Sequence, residues 1–230
     1  MRSTKNLVSF AMLSAMAYTV MFFIRIPIMG AAPFLKYDPK DIAIVIGGFM
    51  FGPLAAFASA FAVAFLEMVT VSESGIIGML MNLLSSAAFA CSAAAIYRFR
   101  KTLAGAVAGL AAGCALATSA MLLWNYIITP VYMGVPRPVV ASMLVPVFLP
   151  FNLIKSVLNA AAVMLLYKPV SSAIRLTGFY TGVKRDIAAV SDEGTQSIPR
   201  GFRPSLGVLI VSAFVILSTI LLILILQGKI

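Results

Sequence analysis

"PFNLIKSVLNAAAVMLLY", residues 150–167, is the stretch on which the reading of the whole chain turns. It is apolar enough for the interior of a bilayer, yet it carries an ammonium at Lys155 and amides at Asn152 and Asn159. Ionisable groups at membrane depth are costly, and they face a cavity or a partner rather than lipid. Spacings of three and four residues place all three side chains on one helical face. With Pro150 taken as the first helical residue and a rise of about 1.5 Å per residue, Asn152 falls near the outer end, with Lys155 roughly one turn deeper and Asn159 roughly one more. One reading is that Lys155 snorkels to the outer interface while the amides bind neighbouring helices. The other is a polar stripe lining a pocket. Snorkelling accounts poorly for Lys155, whose route outward runs past amides on its own face, so a pocket is the expectation.

The rest of the chain supports a membrane setting. Of 230 residues, 62% are hydrophobic and only 10% charged, and the mean hydropathy is +1.05. A soluble domain of this size needs far more polar surface. Long continuous apolar runs rather than period-two alternation make the fold all-α and exclude a barrel. Arg2 and Lys5 precede an apolar run that begins at Leu7; the run is long and no small-residue cleavage site follows a short core, so it is read as a mature helix, not a leader. The net charge of +10 sits beside hydrophobic segments, which fits membrane topology and not nucleic acid. With no histidine, and with Cys91 and Cys114 lacking CxxC companions, zinc sites and Ser-His or Cys-His catalysis are excluded; both thiols read as packing residues.

Along the chain, a first helix is expected over about 7–26, followed by a loop or re-entrant segment, "PIMGAAPFLKYDPKD" at 27–41, too rich in Pro, Gly and charge for lipid. A second helix from Asp41 to the Gly52-Pro53 turn is too short to cross upright. Pro53 opens a third helix to Thr70. A fourth covers 76–97, a fifth runs from about 103 to 128, and the opening stretch is the sixth. This gives a six-helix core over 1–168, a basic and partly amphipathic linker over 169–204, and an additional C-terminal transmembrane helix within 205–230, where an apolar run of about 21 residues suffices to span once. With the N-terminus inside, eleven cations fall on the inner side and five on the outer, so a cytoplasmic N-terminus and a multi-pass protein of the cell membrane are expected.

Other polar positions deserve weighing. Trp124 and Tyr126 flank Asn125 near the outer interface; the rings alone read as belt anchors, whereas the amide wants a partner. Glu67 is either a partner for Lys155 or an interfacial group. Asn82 reads more readily as helix glue than as a ligand contact. Ala11 and Ala15 have the spacing that lets another helix approach closely. The chain has no GxxxxGK[ST] loop and no pair of interrupted helices in matching halves, so it neither hydrolyses ATP by that route nor reads as an inverted-repeat transporter.

"FLKYDPKDI" at 34–42, "GGFMFGPLAA" at 47–56, "WNYIITPVYMG" at 124–134 and "PFNLIK" at 150–155 together resemble the riboflavin-specific S component of energy-coupling factor (ECF) transporters, over roughly residues 5–168. The resemblance implies a six-helix S-component bundle with a long loop between its first two helices that caps an outward-facing pocket. It implies riboflavin as transported ligand rather than cofactor, with FMN as a second candidate, and as partners a transmembrane coupling subunit and two cytoplasmic ATPases. It assigns Asn125, Asn152 and Lys155 to the polar edge of the flavin, the stretch from Phe34 to Asp41 to the cap, with Phe34, Leu35, Lys36, Tyr37 and Asp38 as its candidate contacts, and Ala11 and Ala15 to the coupling subunit. Trp124, Tyr126, Asn82 and Glu67 complete the candidate site. A flat, largely apolar ring with a polar edge suits such a pocket, and a ligand carbonyl or ring nitrogen would offset the desolvation of Lys155. The chain departs from the family in its segment beyond Lys168 and in Glu67, where helix 3 offers no lysine. Competing readings are an S component for another vitamin or base, such as thiamine, biotin or a queuosine precursor, and a non-transport scaffold. A membrane enzyme is the least favoured, for want of a nucleophile–base pair or a metal cluster.

Overall fold

A computed structural model of the chain describes residues 4–29, 32, 35–72, 74–176 and 217. Phe34, the linker beyond 176 and the expected seventh helix lie outside the described residues apart from position 217. The order is α1 (Thr4–Phe23), β1 (Ile26–Pro27), β2 (Lys36–Tyr37), α2 (Lys40–Phe51), α3 (Pro53–Thr70), α4 (Gly75–Phe99), α5 (Leu103–Met133), α6 (Arg137–Met143), a π turn (Leu144–Phe148) and α7 (Leu149–Leu176). Among the described residues, five segments are long and apolar enough to cross a membrane: 6–23, α3, α4, α5 and the continuous stretch Arg137–Tyr167.

α2 is the exception, and its position explains why. At 12 residues it spans only about 18 Å, well short of a hydrocarbon core of about 30 Å. Nine of its residues are buried, as befits a helix that is apolar all round and therefore sits inside a bundle. Its Ile44, Val45 and Ile46 join Leu13 of α1, Val63 of α3, Phe89 of α4, Leu110 of α5 and Val163 of α7 in one core. Gly52, with φ of 97°, adopts a left-handed conformation that side chains resist, and it links α2 to Pro53 at the first turn of α3. The outward faces are coated with apolar side chains, among them Leu54, Phe57, Phe61 and Phe65 of α3, which is the expected surface of a helix bathed in lipid.

α4 and α5 pack by backbone approach. A Cβ added at Gly109 would lie 2.7 Å from the Ala93 carbonyl oxygen, and one at Gly113 would lie 2.7 Å from that of Phe89. Small residues permit such approach, and dispersion rather than the hydrophobic effect then holds the helices in lipid. Cys91 and Cys114 pack against this core, and Cys91 donates to the Pro53 carbonyl at 3.5 Å.

The loop between α1 and α2 is ordered by pairing and packing. β1 and β2 form a short antiparallel ladder in which Ile26 faces Tyr37 and Pro27 faces Lys36. Ile28, Met29 and Ala32 then pack on Val147, Phe151 and Ile154, with Leu35 and Tyr37 at the edge. The loop between α1 and α2 is thus seated by a small apolar cluster on the middle of the last crossing.

Three helix boundaries in the second half of the chain differ from the sequence expectation. α5 continues through Pro130 and ends at Gly134, whose φ of 65° provides a left-handed terminus. The last crossing begins at Arg137, so Pro150 lies inside it and is not its first residue. Proline lacks an N–H and its ring presses on the carbonyl four residues back, here that of Pro146. The backbone accommodates this by widening to a π turn, with the Leu149 N–H bonding to the Leu144 carbonyl. Asn152 consequently sits about halfway along the crossing, not near its outer end. α7 also continues past Tyr167, through Pro169, to Leu176.

Candidate functional site

A cavity of about 160 Å³ opens among α3, α4, α5, α7 and the capping loop. Its polar lining includes Asn125 and Thr129 from α5, Asn152 and Lys155 from α7, and Asp38 from the loop. Met81, Met121 and Phe151 supply apolar wall, while Ser72 and Ser74 stand at the α3–α4 turn.

The amides are preorganised by their own helices. Asn125 Nδ2 donates to the Met121 carbonyl at 2.7 Å, and its Oδ1 accepts from Thr129 Oγ1 at 2.9 Å. Asn152 Nδ2 donates to the Phe148 carbonyl at 2.8 Å. Each amide nitrogen carries a second hydrogen, so these bonds fix rotamers while leaving a donor for the cavity. Both residues are almost fully buried.

Lys155 does not meet Glu67. Its Nζ donates to Asp38 Oδ2 at 3.3 Å, and Lys40 Nζ lies 3.4 Å from the same oxygen. Glu67 is occupied from the other side: Lys40 Nζ reaches Oε2 at 2.7 Å and Arg25 Nη2 reaches Oε1 at 2.7 Å. Arg25 also donates to the Val71 carbonyl at 3.1 Å. A continuous ionic chain therefore runs Arg25–Glu67–Lys40–Asp38–Lys155, joining the end of α1, α3, the start of α2, the loop and α7. Burial opposes ionisation of the Asp38 carboxyl, but the facing ammoniums of Lys155 and Lys40 outweigh it and hold the group below its usual range. Its second oxygen, Oδ1, is buried with no hydrogen-bond partner.

A second branch ties the loop to the deepest amide. Tyr37 donates through its hydroxyl to Asn159 Oδ1 at 3.0 Å, Asn159 Nδ2 donates to Asp41 Oδ2 at 3.3 Å, and Ser86 donates to Asp41 Oδ1 at 2.5 Å. Burial, with Asp38 and Asp41 nearby, raises the Tyr37 hydroxyl well above its ordinary value, so it remains a donor. Asn159 thus serves the loop rather than the cavity, although it shares a helical face with Lys155.

Of the sequence candidates, Leu35, Lys36, Asp38, Glu67, Asn82, Asn125, Asn152 and Lys155 line the cavity. Tyr37 acts from behind it. Trp124 is not among the lining residues, and Tyr126 is 40% exposed on the outer face of α5. Ala11 and Ala15 lie exposed on α1, facing away from the bundle. Sequence reasoning counted Arg25 only as an outer-side cation, and it placed Lys40 and Asp41 in the capping loop without giving either a partner. The available signal was charge: Arg25, Lys36, Lys40 and Lys155 accompany Asp38, Asp41 and Glu67 in an otherwise apolar chain, so each group taken out of water needed a partner.

Comparison with known proteins agrees with this architecture. Residues 5–167 match the family described as "ECF transporter, substrate-specific component". Among curated relatives, the riboflavin transporter RibU of Staphylococcus aureus is 29% identical over 181 residues, covering 76% of this chain and 95% of that protein. The riboflavin transporter FmnP of Bacillus subtilis is 27% identical, covering 71% and 90% respectively. The solved S component of a bacterial ECF transporter superposes with a TM-score of 0.65 at 26% identity, covering 75% of this chain and 99% of that one. The chain belongs to the family of substrate-specific components of ECF transporters, transport subunits rather than enzymes.

Proposed function

We propose that this protein captures riboflavin from the outer side of the cell membrane for ATP-driven uptake by an ECF transporter. The observation that carries the reading is the convergence of Asn125, Asn152 and Lys155 on one cavity beneath the capping loop. Each of the three matches, by its motif, a residue that the sequence resemblance assigns to the flavin's polar edge. The curated relatives named as riboflavin transporters support the choice of cargo. An isoalloxazine presents carbonyls and ring nitrogens on one edge and apolar faces elsewhere, which matches amide and ammonium donors set among Met81, Met121 and Phe151.

In this reading the N-terminus is cytoplasmic, the exposed Ala11–Ala15 face of α1 meets the transmembrane coupling subunit, and two ATPases complete the assembly. FMN is a second ligand, to be separated from riboflavin by competition. The test is direct. Protein purified in detergent from a flavin-containing host is expected to be yellow, and Lys155→Met colourless. A colourless wild type that added riboflavin cannot load would overturn the cargo and favour another vitamin.

A further inference from the structure

We infer that Lys40 is a positioning residue that latches the capping loop over the cargo, acting through Asp38 and not by touching the cargo. The inference rests on the riboflavin-binding reading above.

Lys40 occupies the first turn of α2, where the helix dipole disfavours a cation and favours a carboxylate such as the neighbouring Asp41. It is also 1% exposed. A cation that breaks the local rule and forgoes solvent is held there by tertiary partners. Those partners are Glu67 of α3 at 2.7 Å and Asp38 of the loop at 3.4 Å. Lys40 is absent from the cavity lining, whereas Asp38 and Lys155 belong to it. The ammonium of Lys40 therefore stands behind the site and fixes the carboxylate that faces it.

The consequence is mechanical. Asp38 joins the loop to Lys155 on α7, and Lys40 joins the same carboxylate to Glu67, itself braced by Arg25. Without Lys40, Asp38 keeps only Lys155 as an ionic partner and is no longer linked to Glu67 of α3, although Arg25 still holds the start of the loop to Glu67 and to the Val71 carbonyl. With the Asp38 carboxylate held at one point instead of two, that end of the cap opens more often, which shortens the residence of cargo beneath it without changing the encounter.

Stopped-flow quenching of riboflavin fluorescence on the purified full chain tests this. Lys40→Met is expected to raise the dissociation rate about tenfold, the loss of one charge-assisted bond, and to leave the association rate within about twofold. In an Asp38→Asn background the same change should add little, because Lys40 acts through Asp38. Lys40→Arg should retain most of the residence time. If Lys40→Met does not fold, the double variant Lys40→Met/Glu67→Gln removes both buried charges together, and its dissociation rate is expected to rise equally. A wild-type dissociation rate in a folded Lys40→Met or double variant would overturn the latch, as would a full additive effect on Asp38→Asn. A wild type that binds no riboflavin would instead overturn the cargo assignment beneath it.

Discussion

The bundle holds two regions built on opposite principles. Along the α4–α5 seam, Gly109 and Gly113 bring backbones into contact, and at the end of the bundle away from the α1–α2 loop Phe49, Tyr97 and Tyr167 pack ring against ring with the two tyrosine hydroxyls 2.7 Å apart. That region is close-packed and nearly free of charge. At the end that holds the α1–α2 loop, five ionisable groups lie buried or half-buried in one network around a cavity. A buried ion pair contributes little net stability, because desolvation offsets the attraction. Packing therefore secures the fold at the first region, whereas the second uses charge to fix geometry. Substitutions should sort accordingly: those at the seam destroy the protein, and those at the network alter ligand handling.

Gly109→Leu is the severest test of the seam. Its Cβ would press on a backbone carbonyl that cannot rotate away, and such overpacking costs roughly 1–3 kcal/mol or more. Loss of the monodisperse species in size-exclusion chromatography is expected, whether or not riboflavin is added. A normally behaved Gly109→Leu protein that binds flavin would break the division between the two regions.

Lys155→Met should do the reverse, leaving the elution profile intact and weakening riboflavin by about 100-fold, the upper range for a lost charge-assisted bond. Asp38 retains Lys40 in that variant, which is why the fold should survive. Asn125→Ala is smaller: a neutral bond worth about 1 kcal/mol corresponds to a factor of about five to ten in affinity. Fluorescence titration of the three proteins gives the ranking, and an Asn125→Ala loss exceeding that of Lys155→Met would place the cargo's principal contact on α5 instead.

The two regions were also unequally legible. α3 and the start of α2 follow from Gly52-Pro53 and Asp41, since proline and glycine impose backbone constraints that act locally. Pro130 and Pro150 misled for the same reason. Their local effect is to interrupt a helix, yet bundle packing carries α5 past one and widens a turn at the other. In the site, Lys155 and its two flanking amides stood out because polar groups in an apolar run are conspicuous one at a time. Pairing was another matter. Glu67 and Lys155 were natural suitors by sign and depth, but Lys40, 27 residues from Glu67 in sequence, takes that carboxylate. Helical periodicity places a residue on a face; it does not say which of several cations the loop will fold inward.

The exposed face of α1 sharpens the comparison from outside. Ala11 and Ala15 touch neither region, and beside them Leu7, Met12 and Met16 project outward. Lipid tolerates small residues but has no use for their spacing, whereas a helix docking closely does. Replacing Ala15 by Leu adds bulk that lipid absorbs, so folding and riboflavin affinity should stay within about twofold of wild type. Uptake of labelled riboflavin by cells that also express the coupling subunit and ATPases should nevertheless fall steeply, since the added side chain obstructs close approach at that face. Reduced affinity in the isolated Ala15→Leu protein would mean that α1 communicates with the cavity after all; unchanged uptake would move the coupling contact to another surface of the bundle.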